Sequence, residues 1–432
     1  MPLIENKKHK NSFNNQPLRG KYLVKNFWLY CFLKVVDLFS FIYFSFLKFL
    51  TPRSMRERKL KKNENLLKRP KKILLSNIAH LGDTIIATWI LPILKQIFPN
   101  ASIGFICSSS SKEILENNSY IDKIYFVDHW KLNRSKKHLF QKFLKYFRSR
   151  KQAIKDIKKE KFDIAIDLYY SFPNSIHFFY KSKIPVRIGY SSAGFENFLT
   201  CKNIWANKNQ HVISYHLDLL KFLKIDPKVF QNASITPYIY LPSSAKKITI
   251  NNSKTENFDL NEGYIVCHIG AGSRKKMWNL SKWKDLTAKL LNDDHKIVFT
   301  GKGDFENTFI NEVIETQDSL KKANCINLCD KINYLKILKI LKNARVVICV
   351  DSFILHLATA LDVLTIVIYC GINNFHHWVF KKSNVIPIVK KLCCSPCYMK
   401  NGCETMACLN NIEIDEVLKK MEMFSWKSLN KI

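Results

Sequence analysis

KILLSNIAHLGDTIIATWILPILKQIFP, residues 72–99, reads as a buried strand, a tight glycine turn carrying an acid, and a helix. KILLSNIA is the apolar run, HLGD the turn, and TIIATWILPILKQIF the helix that packs on the sheet. In an open α/β sheet this order points the acid, Asp83, into the crevice beyond the carboxyl ends of the strands. An Asp ahead of an apolar helix is also an ordinary N-cap. Asp83 therefore carries two readings at this point, cap and site acid.

The same rhythm extends outward. ILLSNIA, ASIGFICS, KIYFVD, FDIAIDLY and VRIGY alternate with helical stretches such as HLFQKFLKYFRSRKQAIKDIKK, which defines a βαβ domain over residues 71–241. Residues 242–263, with PSSAKK and NNSKTENFDLNEG, are polar and poor in periodicity and are expected to be a linker region. The rhythm restarts with YIVCHIG, HKIVFTGKG, INLCD, ARVVICVDS and LTIVIYCG across residues 264–410, including a helix over residues 334–342. IEIDEVLKKMEMF, within residues 411–432, reads as an amphipathic helix expected to pack back across the domain interface. A chain of 432 residues suits two domains. Two α/β domains in succession suggest a substrate cleft between them.

The formal charge of +34 is extreme and unevenly spread. Residues 53–72, RSMRERKLKKNENLLKRPKK, are polybasic, and FWLYCFLKVVDLFSFIYFSFLKFL precedes them over residues 27–50. The apolar block is long enough to suggest a membrane span, but Lys34, Asp37 and Lys48 interrupt it. A polar leader of some twenty residues also separates it from an ordinary signal-peptide position. An interfacial helix followed by a polybasic patch fits residues 1–70 better, with an anionic membrane surface as partner. A true span and a soluble accessory helix are the alternatives. No zinc finger, KH loop or RRM aromatic pattern accompanies the positive charge, so nucleic acid is not the expected partner. Of the thirteen cysteines, Cys107, Cys267 and Cys349 sit inside apolar strands and read as buried small hydrophobes in a reducing compartment.

Two further constellations carry chemistry. In CHIGAGSRKKMWNLSKWKDL a strand ends at His268, GAGS follows, and Lys276 and Trp278 precede a helix starting near Leu280. Such a loop lets backbone N–H groups converge on an anion, although GAGS has neither the Walker nor the dinucleotide spacing. In ARVVICVDSFILHLATALDVLTIVIYCG a buried strand delivers Asp351 and Ser352 to its carboxyl edge. The helix that follows turns its positive end to a ligand, with His356 in its first turn. Cap and ligand roles are both open for Asp351. Cys394, Cys397, Cys403 and Cys408 have spacing compatible with a structural zinc site as well as with a packed, reduced loop.

Taken together, LGDTIIAT with FP at residues 98–99, HIGAGSRKKMW, and VDSFILHLATAL followed by IYCG resemble the ADP-heptose:lipopolysaccharide heptosyltransferase family, glycosyltransferase family 9. CSPCYMKNGCETMAC is similar to the cysteine-bearing tail segment of many members, and the likeness covers about residues 71–425. The resemblance implies an α/β fold of two Rossmann-like domains facing across a cleft (GT-B), here with an extra N-terminal apolar and basic segment. It implies an inverting glycosyltransferase that moves heptose from ADP-heptose to the Kdo/heptose inner core of lipopolysaccharide, with Kdo-lipid A or inner-core lipopolysaccharide as acceptor. The reaction would run at the cytoplasmic face of the inner membrane, with no catalytic metal and no other cofactor. By position, Asp83 matches the family's general base and Lys276 the lysine that neutralises the diphosphate. Gly270, Gly272 and Ser273 form the first phosphate loop. Asp351 matches the sugar-contacting aspartate, Ser352 and Phe353 the phosphate-contacting Thr-Gly pair, and His356 the family histidine. Ile332 would pack on the base, and Asp304 or Glu306 would serve the ribose. The chain departs from the pattern at Phe353, where a glycine is usual, at Trp89, usually proline, and in INNFHHW after IYCG. Those departures keep two alternatives open: a related transferase using another nucleotide-linked sugar, and a catalytically silent, membrane-associated sugar-nucleotide-binding protein.

Overall fold

The computed structural model describes residues 18–24, 26–133, 135, 137–225, 229, 235–241, 260, 263–399 and 402–429. The expected linker, residues 242–263, lies almost wholly outside the described residues, as does the start of the N-terminal extension. The chain forms two compact units, Pro17–Tyr240 and Leu241–Ile432.

The first unit opens with an antiparallel hairpin, β1 (Leu18–Arg19) and β2 (Tyr22–Leu23), and two helices, Phe27–Leu50 and Arg53–Lys68. Its sheet contains β3 (Lys72–Ser76), β4 (Ser102–Cys107), β5 (Lys123–Phe126), β6 (Ile164–Asp167), β7 (Val186–Tyr190) and β8 (Cys201–Asn203). All pairings are parallel, in the order β5-β4-β3-β6-β7-β8. The second unit repeats the plan with β9 (Tyr264–His268), β10 (Lys296–Thr300), β11 (Cys325–Asn327), β12 (Ala344–Val350), β13 (Thr365–Tyr369) and β14 (Val385–Val389). Its order is β11-β10-β9-β12-β13-β14, again parallel throughout. Each sheet thus grows outward on one side of its first strand and then on the other. The order reverses between β3 and β6 in one unit and between β9 and β12 in the other. β14 carries Pro387, which a sheet tolerates at an edge because no neighbour on that side needs its missing N–H.

The stretch over residues 72–99 is strand, short helix, break, second helix. The first helix is Leu81–Ala87 and the second Ile90–Ile97. One continuous helix from Thr84 was expected; Pro92 explains the difference. Proline has no N–H to give the carbonyl four residues back, and its ring clashes there, so the chain turns at Thr88–Trp89. The first helix also starts three residues early, which moves Gly82 and Asp83 out of the turn and into its opening helical turn. Trp89 is fully buried and its indole N–H donates to His216 Nδ1 at 2.9 Å.

Both units bury a continuous apolar layer between sheet and helices. Leu74, Ile106, Ala165 and Phe178 belong to a core of the first unit, and Cys267, Trp283, Ile348 and Ile368 to that of the second. The last helix, Ile414–Leu429, adds Val417 and Met421 to the second core. Packing is tight at Gly104 in β4, where a Cβ would lie 2.6 Å from Phe162 Cζ and 3.1 Å from Leu74 Cδ1. Gly104→Ala is expected to lower stability by about 1–3 kcal/mol through overpacking. An unchanged denaturant midpoint would contradict this account of the core.

Candidate functional site

In the second unit, strand register decides which loops meet. His268 at the end of β9 pairs with Thr300 of β10 on one side and Cys349 of β12 on the other. Three chain segments therefore leave one sheet edge together: GAGS after β9, GKGD after β10, and DSF after β12. His268 is buried, with Nδ1 2.9 Å from Thr300 Oγ1.

On the β12 side, Lys276 leaves a short 3-10 turn, Arg274–Lys276, and reaches Asp351 Oδ2 at 2.5 Å. Both partners are largely shielded, with side-chain exposures of 21% and 9%. Burial makes such a pair electrostatically strong but also costly to desolvate, so a bound polyanion can compete for the lysine. Ser352 holds the N-cap position of the Phe353–Ala360 helix with an extended backbone and no capping hydrogen bond from its side chain. Its buried Oγ has no hydrogen-bond partner among the described residues, and neither has Nδ1 of buried His356. Buried polar atoms are rarely left this way unless a ligand or water completes them. The helix start adds backbone donors and a positive dipole end at the same place. Phe353 stacks edge-on against His268 with ring centroids 5.8 Å apart. It is not among the residues with positive φ, so replacing glycine here costs no backbone strain.

On the β10 side, the GAGS loop closes on Glu306. A Cβ at Gly270 would lie 2.0 Å from Glu306 Oε2, and that oxygen accepts the Lys302 N–H at 2.8 Å. Only glycine permits this approach. Burial pushes the Glu306 carboxyl above its usual range, against the Lys302 hydrogen bond, with nearby Asp330 adding to the rise. Asp304, in contrast, is exposed at the start of its helix. Gly272 is exposed and Ser273 half-buried. Asp330 Oδ2 accepts the Gly303 N–H at 2.6 Å, which joins the loop before half-buried Ile332 to GKGD. The Lys276, Asp351, Ser352, Phe353 and His356 group and the Gly270, Glu306 and Ile332 group thus occupy neighbouring parts of one edge.

In the first unit, Asp83 Oδ2 accepts the His80 N–H at 3.1 Å, and Asn77 Nδ2 donates to the Asp83 carbonyl at 3.2 Å. The N-cap is His80 and not Asp83, which is the third residue of the helix and reaches back to the His80 N–H; Asp83 stands half-buried at the carboxyl edge beside the β3–β6 reversal. Across the reversal lies Asp167, the last residue of β6, fully buried and holding the Ser175 N–H at 2.7 Å. Desolvation raises its carboxyl to about 7, against two backbone hydrogen bonds. Asp83 and Asp167, after burial itself, push the Tyr169 hydroxyl upward.

Sequence reasoning missed three of these features. Asp167 ends the run IAID as Asp351 follows VICV, at the equivalent fourth strand of each sheet, and that parallel was a usable signal. His268 was noted only as a strand end. Arg274, whose guanidinium stacks over the Phe305 ring at 3.7 Å, had no local signal. Among the cysteines of the tail loop, Cys397 and Cys403 pack against the second core and Cys408 belongs to it. No group of three or more metal-ligating side chains is arranged to hold an ion among the described residues.

Comparison with known proteins gives a consistent set of likenesses. The family model described as glycosyltransferase family 9 (heptosyltransferase) matches residues 150–406. The chain is 21% identical over 310 residues to lipopolysaccharide heptosyltransferase 3 of Escherichia coli, covering 71% of this chain and 85% of that protein. In fold it is similar to the glycosyltransferase family 9 protein of Veillonella parvula, with TM-score 0.66, 17% identity, and coverage of 82% and 96%. It is also similar to the E. coli ADP-heptose lipopolysaccharide heptosyltransferase II, with TM-score 0.63, 15% identity, and coverage of 83% and 99%. An E. coli heptosyltransferase structure with ADP-2-deoxy-2-fluoro heptose matches with TM-score 0.57, 16% identity, and coverage of 81% and 99%.

The buried histidines set a pH dependence. Burial lowers His268 to about 4 and His356 to about 3, the Lys276 charge adding to the latter. Burial likewise brings His129 and His377 to about 4 and His216 to about 3. Each ring takes a proton near 6.5 once unfolded, so the unfolded chain binds more protons below that pH and stability rises as pH increases from about 4 to 6.5. Asp167 and Glu306 oppose this, since a carboxyl raised by burial gives stability that fades as pH rises, toward about 7 for Asp167, but they are two groups against five. The melting temperature is expected to climb between pH 4.5 and 6.5, within the window of about 4 to 6.5 set by these groups. A flat or falling profile would contradict neutral burial of these rings.

Proposed function

The chain belongs to glycosyltransferase family 9, the heptosyltransferases, and we propose that it transfers heptose from ADP-heptose to the Kdo/heptose inner core of lipopolysaccharide with inversion. One observation carries the reading: the shielded Lys276–Asp351 pair stands beside an uncompleted Ser352 hydroxyl and a helix N-terminus. That is a cradle for a diphosphate bonded to a sugar. The likeness to relatives named for ADP-heptose chemistry supports the choice of donor.

In the proposed reaction the donor is held by residues of the second unit, and Asp83 is the base. The diphosphate draws Lys276 toward itself, and Asp351 turns to the sugar hydroxyls. An acceptor hydroxyl oxygen attacks the anomeric carbon as the bond from that carbon to the phosphate oxygen breaks. The hydroxyl proton passes to the Asp83 carboxylate, and ADP leaves with the electron pair. Charge growing on the leaving diphosphate meets Lys276 and the Phe353 helix start, donors already in place before the reaction. Glu306, beside Gly270, and Ile332 are assigned to the nucleoside end. The acceptor is lipid-linked in this reading, which puts the reaction at the cytoplasmic face of the inner membrane.

Two substitutions separate the roles. Asp83→Asn keeps an oxygen to accept the His80 N–H, so the fold and donor affinity should survive. Transfer is expected to fall roughly 10²-fold or more from loss of the base. Transfer near the wild-type rate would remove Asp83 from that role. Lys276→Ala should weaken ADP binding by about tenfold or more, as loss of a charge-assisted phosphate contact does. Calorimetry showing unchanged ADP affinity would contradict its assignment.

A further inference from the structure

The Phe27–Leu50 helix is turned inside out relative to an ordinary surface helix. Its buried stripe is Leu33, Asp37 and Ser40, with half-buried Phe44 continuing the spacing. Asp37 is the hub of that stripe. It accepts from the Tyr22 hydroxyl at 2.8 Å and the Glu196 N–H at 3.2 Å, and pairs with Lys21 at 3.1 Å. Asn197 Nδ2 donates to the Asp37 carbonyl at 2.8 Å and to Ser40 Oγ at 3.0 Å. Further along, Phe44 meets Tyr180 and Phe198 edge-on. Asp37 and Ser40 therefore face the protein.

Most of its large aromatic residues face outward. Trp28 is 79% exposed, Phe39 67% and Phe49 87%, with Phe32, Phe41 and Phe46 also open. A contiguous patch of this kind on a folded unit marks an interaction surface. The next helix, Arg53–Lys68, buries Leu67 and leaves Arg58, Lys59, Lys61 and Lys62 exposed. Two copies meeting through this region would bring like charge against like charge. A bilayer with anionic headgroups complements both parts, apolar face to acyl chains and basic helix to phosphates.

We propose that these two helices dock the protein on an anionic bilayer, with Phe27–Leu50 lying in the membrane plane. The helix is long and apolar enough to cross. Crossing would carry Asp37, Lys21 and Glu196 into hydrocarbon together with the surface they are bonded to, at a prohibitive cost. Lying flat keeps that hub on the protein side and sinks the Phe39 and Phe49 face. Lys34 and Lys48 can extend their stems to the headgroups.

The test is flotation of the full chain with vesicles of phosphatidylcholine, alone or mixed with phosphatidylglycerol. Binding is expected to be roughly tenfold or more tighter to the mixed vesicles, weakened by salt, and reversed by alkaline carbonate. The triple change Trp28→Ser, Phe39→Ser, Phe49→Ser should abolish flotation at an unchanged melting temperature, because these side chains are exposed in the fold. Lys59→Gln, Lys61→Gln, Lys62→Gln should erase the preference for the anionic lipid and leave the fold intact. Carbonate-resistant protein would overturn the in-plane docking in favour of a span. Equal binding to both vesicles would overturn the role of the basic helix. Absence of flotation with a dimer that the serine variant dissociates would assign the face to a second copy. None of these readouts depends on transferase activity.

Discussion

The parallel ladder that seats His268 between Thr300 and Cys349 fixes where chemistry is possible in the second unit. A strand can present only its last residue and the loop beyond it to a ligand. Parallel pairing in register brings several such ends to one edge. Because strand order reverses between β9 and β12, the loops after these two strands part at that point and leave a crevice. Lys276, Asp351 and Ser352 are placed by that reversal. The first unit obeys the same constraint, with Asp83 after β3 and Asp167 at the end of β6. Changing the strand order would disperse these groups even if every side chain were kept.

What was legible in the sequence follows from the range of each interaction. The Tyr334–Lys342 and Phe27–Leu50 helices and the main strands are announced by local periodicity, which neighbouring residues suffice to set. Asp83 and Lys276 stand out because each belongs to a short pattern tied to a strand end. The approach of Glu306 to Gly270 joins the opening turn of the Asp304–Glu315 helix to a loop more than thirty residues away, and nothing near either position signals it. Arg274 over Phe305 is of the same kind. The helix break at Thr88 was readable from Pro92 but was outweighed by the unbroken apolar run around it. Phe353 looked like an obstruction at a glycine position; the backbone there is ordinary for any residue, and the ring is absorbed by His268.

Asp37 shows how one letter can change meaning with its surroundings. In the sequence it is a charge that spoils an apolar block. In the fold it is the group through which that block is held against the first unit, so the spoiled helix is the one able to keep its apolar face outward. The polar bonds fix orientation, and orientation leaves the large aromatic side chains exposed.

The most direct test of the transferase reading is the intact mass of Kdo-bearing lipid A after incubation with the wild-type chain and ADP-heptose. An acceptor heavier by one heptose residue, formed in step with release of ADP, is the expected result. Well-folded protein that binds ADP yet leaves the acceptor mass unchanged would contradict it.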